Sequence, residues 1–118
     1  MLDPLRNCYG CVVSEEGSVT IPSNLHGIRV WNLEIDTNGQ VPLDDLKVVK
    51  GGRTGDILIL SILNDARDVR VIDNSPDAEG NHLELASTFT LNQRKDKMLL
   101  IKRSSSPDVW DEISRSPN

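Results

Sequence analysis

The residues best suited to chemistry are two cysteines, Cys8 and Cys11, in the C-x-x-C spacing of thiol redox enzymes and zinc half-sites. In a redox enzyme such a pair opens a helix, whose dipole stabilises a thiolate. Here Glu15 and Glu16 follow closely, and their negative charge disfavours a thiolate. We therefore predict that Cys8 and Cys11 are small, reduced, structural residues.

The other candidate side chains do not converge on a catalytic set. His26 lies in a polar turn and His82 begins a strand, and neither stands at a zinc-site spacing from the cysteines. Asp44 and Asp45 are adjacent, so on a helix they diverge by about 100° and cannot share a proton. We therefore predict no catalytic residue, no metal ligand and no cofactor, in a protein that is not an enzyme. A redox enzyme built on the cysteine pair is the least favoured alternative.

The stretch GGRTGD, from Gly51 to Asp56, has the highest density of glycine in the chain. A phosphate-binding loop would run from a strand into a helix and would carry a Lys-Ser/Thr pair. Here the glycines precede a strand, and Asp56 stands where a lysine would be needed. This order favours a tight connection with positive φ angles over a nucleotide site.

Composition bounds the remaining classes of function. The 118 residues predict one domain, and 13 Lys+Arg against 18 Asp+Glu give a formal net charge of −5. Basic and acidic residues alternate in the second half, and aromatic residues make up only 3% of the chain, which argues against nucleic-acid binding. No apolar stretch is long enough for a membrane span, and the start lacks a signal peptide's apolar run. We predict neither a nucleic-acid nor a membrane partner.

Short apolar runs separated by turn residues dominate the chain from residue 28 onward and predict strands. Their spacing of about ten residues is typical of a β-sandwich or barrel. The run at 57–63 is almost continuously apolar, which predicts a strand covered on both faces, so that a carboxylate at Ile59 would unfold the domain. The predicted strands span residues 28–35, 57–63, 69–72, 81–85, 88–91, 97–102 and 109–113.

Two segments leave alternatives open. Residues 42–49 combine Pro42 with apolar residues at helical spacing and predict one or two helical turns. Trp110 fits either a capped helix start or the second strand of a hairpin, and we choose the strand because it completes the sheet. The fold prediction is an all-β protein, an antiparallel, jelly-roll-like β-sandwich with at most one short helix.

The first 27 residues contain too few apolar side chains to form a core of their own. We predict an extended N-terminal arm over residues 1–27 and a β-sandwich domain over residues 28–118. The arm either adds to a sheet edge or lies on a neighbouring chain. The candidates for an interface with a neighbour are Tyr9, Val12, Val19, Ile21 and Trp31.

Residues 36–116 resemble a β-rich module found in virion proteins of tailed bacteriophages. The resemblance rests on four motifs in order: GGRTGDILIL at 51–60, GNHLEL at 80–85, DKMLLI at 96–101 and WDEISRS at 110–116. Two departures, the loop at 104–108 and the insertion at 75–79, fall in turns. The resemblance implies a trimeric, jelly-roll-like sandwich of the kind used in capsid decoration (cement) proteins and in head or tail fibres.

Between these two uses, a chain of 118 residues favours the cement role, because a fibre protein would ordinarily carry a long shaft. We expect a structural homotrimer on the capsid surface of a virion, assembled in the host cytoplasm. It would bind the major capsid protein and stabilise the shell through many weak copies. The alternative is a receptor- or glycan-binding head of a fibre, a function that uses exposed aromatic side chains.

Overall fold

A computed structural model describes residues 8–21, 29–76 and 80–116 of the chain. Within these ranges the chain forms eleven strands and one 3-10 turn at Asn38–Gln40. The all-β prediction is therefore confirmed. The strands are β1 (Cys8–Val12), β2 (Ser18–Thr20), β3 (Val30–Asp36), β4 (Leu43–Leu46), β5 (Val48–Lys50), β6 (Ile57–Ile62), β7 (Asp68–Val71), β8 (His82–Glu84), β9 (Phe89–Leu91), β10 (Met98–Ser105) and β11 (Asp108–Arg115).

Parallel pairing between successive coils of the chain gives the N-terminal half a solenoid-like arrangement. Leu33 on β3 lies beside Cys8 on β1, 25 positions earlier, and Leu60 on β6 lies beside Leu33, 27 positions earlier. On the other faces, β5 pairs in parallel with β2 and β7 with β4. Each coil therefore stacks on the preceding one, although the sequence contains no recognisable repeat.

The stacked strands align apolar side chains into ladders that form the core. Every second residue of β3 faces its counterpart on β6, and β10 adds a third member to two of the ladders. Burying each such side chain contributes roughly 1.5–3 kcal/mol. The ladders, whose members are all 0–1% exposed, are Trp31–Leu58–Leu100, Leu33–Leu60–Met98 and Ile35–Ile62.

The C-terminal half adds antiparallel strands to two of the sheets: β10 and β11 to the sheet that contains β6, and β9 to the sheet that contains β7. β10 runs antiparallel to β6, and β11 returns antiparallel to β10, with β8 parallel at its far side. These strands complete a six-stranded sheet in the order β1-β3-β6-β10-β11-β8, beside the three-stranded sheet β4-β7-β9 and the pair β2-β5. Trp110 lies within β11, which confirms the choice of a strand for this segment.

Two finer predictions about the fold are wrong. The strands are not uniformly antiparallel, because five of the eight pairings in the described part of the chain are parallel. The segment predicted as helical turns forms β4 and β5 instead. Pairing with β7 and β2 supplies hydrogen bonds along both strands, and this tertiary context overrides the weak local helix signal.

The described part of the predicted arm, residues 8–21, belongs to the folded body. β1 adds to the edge of the six-stranded sheet, and β2 pairs with β5. Val13, Val19 and Ile21 are 0–4% exposed and pack in the common core. Of the two alternatives for the arm, these residues adopt the sheet-edge addition. Residues 1–7 and 22–28, the latter with His26, lie outside the described residues.

Candidate interaction surface

The structure separates the five predicted interface residues. Val19, Ile21 and Trp31 are 3%, 4% and 0% exposed, so the prediction that they contact a neighbour is wrong. Each lies inside its own chain because the parallel stacking of coils turns it toward the core. Val12, at the edge of the six-stranded sheet, is 54% exposed, so its place in an interface stays a prediction. The side chain of Tyr9 lies outside the described residues.

The outer face of the six-stranded sheet carries an aliphatic patch that spans three neighbouring strands. Paired residues on adjacent strands share one face of a sheet, so the register defines the rows of the patch. One row is Val30–Ile57–Ile101 and the next is Asn32–Ile59–Leu99, on β3, β6 and β10. Val30 is 50% exposed and Ile101 36%, while the other three aliphatic side chains are half-buried. We call Val30, Ile57, Ile59, Leu99 and Ile101 the outer patch.

Charged residues border the outer patch. Along the first row, Ile101 is followed by Asp111 on β11 and by Glu84 on β8. Arg103 binds Asp111 through two hydrogen bonds, of 3.0 Å from Nε and 2.5 Å from Nη2. This hydrogen bonding to Asp111 raises the pKa of the Arg103 guanidinium. An apolar centre with a charged border is the usual anatomy of a surface that contacts another protein.

Sequence reasoning missed the outer patch because β6 is aliphatic at consecutive positions. A run such as Ile-Leu-Ile-Leu carries no alternation that would tell an inner from an outer face. The prediction that this strand is covered on both faces is wrong for Ile57 and Ile59, which are half-buried, whereas Leu58 and Leu60 are fully buried. Val30 and Ile101 could have been found by aligning the three strands, but that alignment requires the register of β3, parallel to β6, and of β10, antiparallel to it.

The glycine-rich loop is a structural connection, as predicted. Gly51, Gly52 and Gly55 have φ angles of +89°, +75° and +91°. The fully buried carboxylate of Asp56 closes the loop, because Oδ2 accepts hydrogen bonds from the backbone N–H of Arg53 and from Trp31 Nε1, at 2.8 and 3.0 Å. Its Oδ1 lies 2.7 Å from Nε of Arg29. The carboxylate that argued against a phosphate site thus anchors the loop to β3.

The cysteine pair departs from its prediction. Cys8 and Cys11 form a disulfide with their Cα atoms 5.9 Å apart, whereas we predicted reduced thiols. Residues three apart on a regular strand point to opposite faces, but β1 changes register between Tyr9 and Cys11, with Gly10 at φ +75°. This bulge brings the two sulfurs to one side, a geometry that the spacing alone does not reveal.

The remaining ionisable side chains that sequence reasoning weighed have structural partners. The ring nitrogens of His82 lie 2.9 Å from the carbonyl oxygen of Gly80 and 3.2 Å from Glu84 Oε1. Asp44 accepts the N–H of Asn38 at 2.9 Å. Within residues 8–21, 29–76 and 80–116, no three His, Cys, Asp or Glu side chains cluster as a metal site would require.

Lys102 is a charged residue inside the core. Its side chain is fully buried, and Nζ donates to Asp108 Oδ1 at 2.5 Å and to the carbonyl oxygen of Gly51. The same nitrogen lies 5.3 Å from the ring centroid of Trp110. Lys102 therefore ties the glycine-rich loop to the β10–β11 hairpin.

Comparison with known proteins finds no protein-family model and no curated protein that matches this chain. None of the helical structure in the described residues is long and apolar enough to cross a membrane.

Proposed function

We propose that this protein is a structural, non-enzymatic component of a tailed-phage virion. It would form a homotrimer that decorates the capsid, binds the major capsid protein and stabilises the shell. The proposal rests on the sequence resemblance over residues 36–116 together with one structural observation, the outer patch. Its aliphatic rows lie on the six-stranded sheet and face away from the core, where a neighbouring subunit could cover them.

The charged border gives the proposed contact its orientation. Burying the aliphatic centre would supply the free energy of association, while Asp111, Glu84 and Arg103 would restrict the geometry of approach. Three such contacts around a symmetry axis would form each trimer. Many trimers on one shell would together stabilise it, although each contact alone is weak. The jelly-roll form expected from the resemblance is not needed for this role, because the mixed sheet also presents an aliphatic outer face.

The alternative of a glycan-binding fibre head has less support from the aromatic residues. Trp31 and Trp110 are fully buried, and the guanidinium of Arg115 lies 4.5 Å from the ring centroid of Phe89. These three rings therefore offer little free surface for stacking on a sugar.

A binding experiment with particles tests the proposal. Tagged protein is mixed with purified capsids that lack it, from the virus that encodes it, and bound protein is measured by sedimentation. We expect saturable binding by the wild type and loss of binding by Ile101→Asp, with Val41→Asp as a control on an exposed aliphatic outside the six-stranded sheet. Binding to host cells but not to capsids would instead support the fibre head and overturn the cement role.

A further inference from the structure

The three-stranded sheet ends at β4, whose outer edge has no partner strand in the described part of the chain. The parallel ladder with β7 uses the carbonyl oxygens of Pro42 and Leu46, which accept the N–H groups of Asp68 and Ile72 at 2.9 Å. Bonding residues alternate along a parallel strand, so Leu43 and Asp45 direct their backbone groups to the outer side. The N–H of Asp45 is bonded to the Asp44 side chain at 2.9 Å, which leaves Leu43 as the open position.

The first coil explains why this edge is open. Between β1 and β2 the chain makes a tight turn, closed by a 2.9 Å hydrogen bond from the N–H of Gly17 to the carbonyl oxygen of Ser14, and forms no strand beside β4. The carbonyl oxygen of Gly17 accepts the N–H of Lys47 at 2.7 Å. The turn therefore covers the end of β4 at Lys47, and no strand among residues 8–21, 29–76 and 80–116 pairs with the edge along Leu43.

Side chains around the vacant edge define what could fill it. Val41 and Leu43 are 41% and 47% exposed and offer apolar contact. Acidic side chains lie beside them, Asp44 on β4 and the exposed Glu15 and Glu16 in the Ser14–Gly17 turn. The carboxylate of Asp45 is already bound by Arg70, at 2.8 and 3.2 Å, and is not part of this acidic flank. A second copy fits less well, because pairing two identical β4 edges would bring their acidic flanks together, whereas a basic segment would complement that charge.

We propose that the β4 edge binds an extended segment of another protein, one that alternates aliphatic and basic side chains, by strand addition. Backbone hydrogen bonds to Leu43 would hold the segment in the position that the first coil leaves vacant. Its aliphatic side chains would cover Val41 and Leu43, and its basic side chains would meet the acidic flank. This inference goes beyond the proposed function and does not depend on capsid attachment.

Two synthetic ten-residue peptides test the proposal with the purified full-length chain. One alternates valine with lysine, and the matched control alternates valine with glutamate. We expect the lysine peptide to bind in a fluorescence anisotropy titration and to slow hydrogen exchange at the Leu43 amide, and the glutamate peptide to bind about tenfold more weakly or not at all. No binding of the lysine peptide, or equal binding of both peptides, would overturn the proposal.

Substitution at Leu43 tests the backbone contact directly. Leu43→Pro removes the outward N–H, which β7 does not use, and proline is tolerated on edge strands. Leu43→Ala shortens the side chain to a similar degree but keeps the N–H. We expect Leu43→Pro to weaken binding of the lysine peptide about tenfold relative to Leu43→Ala. Equal affinities of the two variants would exclude strand addition, and the hydrogen-exchange result on the wild type stands as a separate test.

Discussion

The two faces of the six-stranded sheet differ in what their aliphatic side chains do. On β6, Leu58 and Leu60 point inward and are fully buried, whereas Ile57 and Ile59 point outward and are half-buried. The same strand therefore supplies both the core and the outer patch. Because hydrophobic character is alike on the two faces, the sequence of this strand alone does not distinguish a residue that stabilises the fold from one that is available to a neighbour.

The largest predicted effect is a difference in stability between aspartate substitutions at two adjacent positions of β6, one on each face of the sheet. Leu60→Asp places an unpaired carboxylate in the core and should cost about 5 kcal/mol or more, enough to unfold a small domain. Ile59→Asp faces outward and should cost the single folded chain about 1 kcal/mol, mainly through lost strand propensity, besides any stability that subunit association adds to the wild type. Urea denaturation followed by circular dichroism measures both. A folded Leu60→Asp variant, or an unfolded Ile59→Asp variant, would show that the faces are assigned wrongly.

Lys102 offers a second test, because it is a fully buried cation on the inner face of β10. Asp108→Asn leaves the buried ammonium without its anion and should lower the free energy of unfolding by about 3 kcal/mol. Lys102→Met removes the charge but keeps similar volume, so it should cost less, about 1 kcal/mol. Chemical denaturation of the two variants under the same conditions decides the order. If Lys102→Met is the more damaging change, the ammonium contributes more through its contacts with Gly51 and Trp110 than this account allows.

A smaller effect depends on pH. Glu112 accepts two hydrogen bonds from Arg115, at 2.8 and 2.7 Å, and this interaction lowers the pKa of the Glu112 carboxyl below its ordinary value of 4.5. A carboxyl with a lowered folded-state pKa stabilises the fold fully above its unfolded-state pKa, and this contribution is lost as the pH falls through the folded-state pKa. Glu112→Gln should therefore cost about 1 kcal/mol at pH 7 and almost nothing at the acid end of the range.

Urea denaturation of wild type and Glu112→Gln across pH 2–7 measures this difference. The matched control is Glu16→Gln, because Glu16 is exposed in the Ser14–Gly17 turn, away from the outer patch. A stability difference for Glu112→Gln that persists unchanged to the lowest pH would contradict the ion-pair explanation.

Sequence patterns located most strands but not their arrangement. Alternation around Trp31, Leu83 and Leu91 marks one buried face per strand, and those strands lie where they were predicted. The parallel coils could not be predicted, because pairing between residues such as Leu33 and Leu60 joins segments 27 positions apart that share little sequence. At β4, the local sequence pattern with Pro42 favours a helix and does not indicate the parallel pairing with β7.

The candidate surface was harder to predict than the fold. The sequence predicts that Val19 and Ile21 are available to a neighbour, because the first 27 residues contain too few apolar side chains to form a core of their own. Their burial depends on the partner strand β5, which lies 30 positions away in the register. Exposure is a property of the assembled coils, and neither hydrophobicity nor position in the sequence substitutes for it.

Light scattering coupled to size-exclusion chromatography tests most directly whether the outward-facing side of the sheet is a contact surface. We predict that the wild-type protein has about three times the 13.1 kDa mass of one chain, and that Ile59→Asp is a folded monomer. A monomeric wild type, or an Ile59→Asp variant that keeps the trimer mass, would contradict the account.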